Sequence, residues 1–203
     1  AFFNFFRSEE IHQVGFNIDE IEGAHLTSSF SNSDAIAQYK RFVTRIMELS
    51  EADGGRLKFR EVWTTLRSIA LGKPRHNLAN RPLRILNVDC EGNFSTFCPE
   101  LIAASSEKYG DFVMGNILTD DLISITDNDV FMKVQQEIDA GLSRCEHECQ
   151  YWTHCGGGEP SSKFFQHGRF DVTETTTCKV HKQATVDAVL EYLERRLENE
   201  TTE

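Results

Sequence analysis

Three cysteines stand within eleven residues, Cys145, Cys149 and Cys155, and a fourth, Cys178, follows after a gap of 22 residues. A local segment that presents three sulfurs, closed by a distant fourth, is the pattern of a four-coordinate centre. Thiolates are soft donors, so zinc or an iron–sulfur cluster is favoured over calcium or magnesium. Gly156, Gly157 and Gly158 come directly after Cys155 and let the backbone turn tightly around a bulky inorganic group. His147 and His154 lie in the same stretch and are alternative ligands if the metal is zinc. The C-x3-C gap lies within zinc spacing and the x5 gap is less usual for it, so spacing alone leaves zinc and iron–sulfur level. Unrelated buried cysteines and disulfides compete with both.

The elements that must position these residues are read from periodicity. Residues 1–10 look like a helix end. Val14, Phe16 and Ile18 then alternate as in a half-buried strand, and Asp19, Glu20 and Glu22 stand just past it. Ser33 and Asp34 mark a helix start. Ile36, Tyr39, Phe42, Val43, Ile46 and Met47 follow at helical spacing, and Gly54-Gly55 stops the run. A second helix carries Phe59, Val62, Trp63, Leu66, Ile69 and Ala70 and ends at Gly72, with Pro74 beyond. Residues 74–82 read as a linker. The segments 83–89 and 94–97 form a hairpin about the turn Glu91-Gly92-Asn93. A helix is expected over 127–143, and a last one over 182–198 with Glu191 and Arg195 paired outward, before a polar tail.

With 39% hydrophobic and 26% charged residues, the 203-residue chain can bury the core of one large domain or two small ones. The net charge of −11 argues against a nucleic-acid partner, which needs clustered Lys and Arg. No apolar run reaches membrane-spanning length, and nothing resembles a signal peptide, so a reducing, cytoplasmic setting without a membrane partner is expected. The sequence starts without Met, as though in mid-helix, and reads as a fragment of a longer chain.

The stretch Cys145 to Cys155, then Gly156-Gly157-Gly158 and Lys163, then GRFDVTETTTC ending at Cys178, resembles the SPASM region of radical SAM peptide maturases. FNIDEIEG, GNFSTFCPEL, YGDFVMGNILTD and CGGGEPSSKFF are similar, in the same order, to segments of the maturases of glycine-rich-repeat and cyclophane-forming peptides. The resemblance implies an α+β chain: the end of a partial (β/α) barrel over 1–52, a bridging helix and linker over 53–82, and a SPASM-like domain over 83–203. It further implies one auxiliary [4Fe–4S] cluster on Cys145, Cys149, Cys155 and Cys178.

The family's first gap is x2 where this chain has x3. Its fourth local cysteine is Glu159 here, and Thr119 stands where another ligand is usual, four residues past Gly115. A second cluster would have to use Cys90, Cys98 and Glu159, and a turn residue and a small core residue are the simpler reading of those two cysteines. The C-x3-C-x2-C motif that cleaves S-adenosylmethionine does not occur in this sequence. S-adenosylmethionine and its own [4Fe–4S] cluster are therefore expected in an N-terminal half outside it, and no catalytic residue is assigned.

What the resemblance implies for the whole enzyme is hydrogen abstraction from a ribosomally made precursor peptide, followed by side-chain cross-linking. The partners would be that peptide and an electron donor. Asp19, Glu20, Glu22 and Trp152 are candidate contacts to substrate or S-adenosylmethionine, Tyr151, Phe164 and Phe165 are candidate stacking partners, and Lys163 is a candidate donor to a cluster sulfide or to Glu159. The competing function is a zinc-stabilised peptide-binding module without redox chemistry.

Overall fold

The computed structural model describes residues 2–72 and 76–201. Pro74, the start of the 74–82 linker and the last two residues of the tail lie outside them. The described residues are mixed helix and strand and fall into two compact units. Residues 2–19, 29–72 and 176–201 form the first, and residues 20–28 and 76–175 the second. The sequence reading divides the chain consecutively at 52 and 82, whereas the spatial grouping is not consecutive. The helix after residue 53 and the C-terminal helix both pack with the N-terminal elements.

The first unit contains α1 (Phe2–Ser8), β1 (Gln13–Val14), α2 (Ala35–Ala52), β2 (Lys58–Phe59) and α3 (Arg60–Leu71). Strands β1 and β2 are parallel, with Val14 opposite Phe59. The strand expected through Ile18 stops early, because the Phe16 amide leaves the ladder to donate to Glu61 Oε1 at 3.2 Å. Helix α2 starts after Asp34, and Ala35, Tyr39, Val43, Ile46 and Met47 make its buried stripe. Gly72 ends α3 in the left-handed region at φ +57°, where glycine carries no Cβ penalty. The C-terminal segment opens with a wide π turn, Cys178–Gln183, and helix α7 (Ala184–Thr201) continues from it. Ala184, Ala188 and Val189 of α7 pack with Tyr39, Val43 and Met47 of α2 in one core. Glu191 pairs with Lys40 rather than with the Arg195 side chain, whose Nε donates to the Glu191 carbonyl.

The second unit is built around α4 (Asp129–Glu148), the longest helix. Asn128 caps it, its side chain accepting from the amides of Val130 (2.8 Å) and Phe131 (3.1 Å). The expected hairpin is present as β3 (Leu86–Val88) and β4 (Asn93–Thr96), antiparallel with Leu86 opposite Thr96. A third strand, β5 (Gly115–Asn116), pairs with β4. Below the sheet, Phe94, Phe97, Phe112, Tyr109, Phe164 and Phe170 fill a core with Val134 and Ile138 of α4. Two short helices, α5 (Trp152–Cys155) and α6 (Pro160–His167), complete the unit.

Candidate metal centre

Cys145 lies in the last turn of α4 and Cys149 caps that helix, its amide donating to the Cys145 carbonyl at 3.0 Å. The x3 gap is thus one helical turn, which brings both side chains toward the same side of the helix. Gln150 and Tyr151 lead from that cap into α5, which ends at Cys155. Gly156, Gly157 and Gly158 then take φ values of +69°, +102° and +73° in succession. Any other residue type would be strained at each of them. At Gly157 a Cβ would also lie 2.2 Å from Leu142 Cδ2 and 3.3 Å from Trp152 Cζ3, so a glycine here lets the loop close against α4 and α5.

The loop is held from a segment that sequence reasoning treats as linker. Asn77 Nδ2 donates to the Gly158 carbonyl at 2.7 Å. Asn80, 4% exposed, donates to Gly158 at 2.9 Å and to Gly156 at 3.3 Å. Asn77 also caps its own 3-10 turn, Leu78–Asn80, by accepting from the Ala79 amide. The polar spacing of two asparagines around Leu78-Ala79 is the one signal in the sequence that could have revealed this cradle.

Burial raises the Cys145 thiol above its usual range, Cys149, Cys155 and Glu148 push it the same way, and Lys163 opposes them. Cys145 Sγ also lies 3.7 Å from the carbonyl of Thr173 in the returning chain. Cys178 belongs to the first unit. It is buried at the start of the π turn, with Gln183 Nε2 3.6 Å from its sulfur. Among the described residues no three His, Cys, Asp or Glu side chains converge as a group that could hold a metal ion. A cluster is ligated through separate irons, so its thiolates stand farther apart than the ligands of one ion. The donor set of Cys145, Cys149 and Cys155 beside a cation, at a loop that admits only glycine, fits such a group.

The structure places the other expected site residues as follows. Cys90 is exposed in the turn before β4, and Cys98 is buried just after that strand. Burial pushes the Cys98 thiol up to about 12, with Ser161 as its hydrogen-bond partner. Glu159 precedes α6 at the N-cap position and accepts the Lys163 amide on its carbonyl at 3.3 Å.

Asp19 accepts from the Ser29 amide (2.7 Å) and hydroxyl (2.6 Å), which fastens the turn ahead of α2. Glu20 accepts from Ser162 Oγ at 2.7 Å. Glu22 is raised to about 7, chiefly by burial, with Glu100, Glu20 and Glu159 adding to the rise against a hydrogen bond from Ser161. Trp152 lines the glycine loop, and Phe164 sits in the aromatic core, 4.9 Å from Phe112 between ring centres.

Neither a family model nor a solved structure matches the chain. It is 36% identical over 197 residues to an uncharacterized protein, sll1766, of Synechocystis sp.. The alignment covers 96% of this chain and 49% of that protein, so the chain spans about half the length of the curated relative it matches.

Proposed function

We propose that this chain is the auxiliary-cluster half of a radical SAM enzyme that modifies a ribosomally made precursor peptide in the cytoplasm, with side-chain cross-linking as the product chemistry. Cys145, Cys149, Cys155 and Cys178 would ligate one [4Fe–4S] cluster. The observation that carries this reading is geometric: Cys145 and Cys149 stand one helical turn apart at the end of α4, and Cys155 ends α5 directly before three glycines of positive φ. When bound, such a cluster supplies one-electron uptake and release.

The chain's own residues have definable parts in that role. Leu142 and Trp152 pack against the glycine loop at Gly157 and give that part of it an apolar wall. Asn77 and Asn80 fix the loop carbonyls, so the backbone after Cys155 holds one shape. The last turn of α4 and the whole of α5 carry three thiols on rigid backbone rather than on free loop. S-adenosylmethionine, its own cluster and the bond-making site would lie outside this sequence, since the motif for them does not occur here.

The test is anaerobic iron and acid-labile sulfide content with a visible spectrum. Single Cys→Ser variants at 145, 149, 155 and 178 should each lose most of the iron and the brown absorbance, while Cys90→Ser and Cys98→Ser keep them. A colourless chain carrying about one zinc would replace the redox reading with a structural metal module.

A further inference from the structure

We infer that Lys163 is a positioning charge for this centre: its buried ammonium, held against Cys145 Sγ, raises the reduction potential of the cluster that the thiolate would ligate. The inference rests on the cluster reading above and deepens it. Lys163 is 4% exposed, flanked by Ser161, Ser162 and Phe164, all buried. Its Nζ lies 3.9 Å from Cys145 Sγ.

The neighbouring helix is shaped for that ammonium. Gly141 sits in the interior of α4, where glycine is a poor helix former. A Cβ there would stand 3.1 Å from Lys163 Nζ and 2.5 Å from the Phe170 carbonyl oxygen. The Phe170 carbonyl thus approaches α4 as closely as only a glycine permits, and the lysine head lies beside that contact, one helical turn before Cys145.

The setting otherwise carries negative charge. The C-terminal end of α4 presents the negative pole of the helix, and Glu148, Cys149 and Cys155 act on Cys145 in the same sense. Lys163 opposes them. Reduction adds one electron from an external donor, with no bond made and no proton moved, and it makes the centre more negative by one charge. A cation fixed at contact distance in a water-poor site stabilises that state, because net charge and hydrogen bonds to the sulfurs set cluster potentials.

The experiment uses the full chain, loaded anaerobically with iron and sulfide and titrated spectroelectrochemically against dithionite-poised mediators. Lys163→Met and Lys163→Gln should shift the reduced-to-oxidised ratio at fixed poise at least tenfold toward oxidised, which is 59 mV for a one-electron couple. Their iron content should be unchanged, and Lys163→Arg should stay within about threefold of the parent chain. Unaltered potentials in iron-loaded Lys163→Met would overturn the inference and leave the cluster reading standing. Loss of iron from both neutral variants but not from Lys163→Arg would make the lysine a structural prop and also overturn it. A parent chain that takes up no iron overturns both.

Discussion

Replacing Asn80 by alanine removes two hydrogen bonds to the carbonyls of Gly156 and Gly158, at 3.3 and 2.9 Å, from a side chain that is 4% exposed. Each bond contributes about 1 kcal/mol net, and leaving the buried Gly156 carbonyl unpaired adds about another 1 kcal/mol. Gly158 keeps its bond from Asn77, so the sum is held to roughly 2–3 kcal/mol. The chain has two tryptophans, Trp63 and Trp152, one in each unit. In a Trp63→Phe background, Trp152 fluorescence therefore follows the unit that contains Asn80. With a urea slope of about 2–3 kcal/mol per molar, the midpoint should fall by roughly 1 M. Because Asn77 and Asn80 share the Gly158 carbonyl, the double alanine variant should cost about 1 kcal/mol more than the sum of the singles. A midpoint change equivalent to less than about 0.5 kcal/mol for Asn80→Ala would refute the cradle.

Gly157→Ala should destabilise by about 3 kcal/mol, from the positive φ and from the contact with Leu142, and Leu142→Ala should relieve only the contact part in the same urea assay. Burial raises the Glu22 carboxyl to about 7 in the fold from its ordinary 4.5, so the protonated form is the favoured one. Stability from that group is full below the unfolded value and is lost as pH rises through 7. Glu22→Gln should therefore flatten the decline between about pH 5 and 8 and be more stable at pH 8 by about 1 kcal/mol, discounted because the side chain is partly solvated. No gain at pH 8 in thermal melts would show that Glu22 is not held in a desolvated setting. Gly141→Ala should move Lys163 or bend α4, because the new methyl would meet the Phe170 carbonyl at 2.5 Å. A destabilisation of roughly 1–3 kcal/mol is expected, and stabilisation in chemical denaturation would contradict the geometry.

The helices were the legible part of this chain because their apolar stripes run long enough to fix a period. Tyr39, Val43, Ile46 and Met47 lie on the buried face of α2, and Gly72 stops α3 where a left-handed cap is needed. The hairpin was legible from its turn residues, whereas β5 is two residues long and includes a glycine, too little for any periodic signal. The order of the cysteines was plain in the sequence, but not that x3 is one turn at the end of α4. Lys163 illustrates the limit of local reading. In SSKFF a lysine looks solvated, and its burial is decided by Gly141 and Cys145 on another helix. The same holds for Asn77 and Asn80, whose partners are some eighty residues away. Asp19 was a polar residue beyond a strand in the sequence, and it is a turn fastener in the fold.

The central claim is that Cys145, Cys149, Cys155 and Cys178 hold a redox-active cluster, and electron paramagnetic resonance of the anaerobically prepared, dithionite-reduced chain tests it most directly. The account expects a low-spin iron–sulfur signal integrating to about one spin per chain, lost in Cys145→Ser and retained in Cys90→Ser. A silent spectrum from a chain that carries stoichiometric zinc, and that keeps its fold, would contradict it.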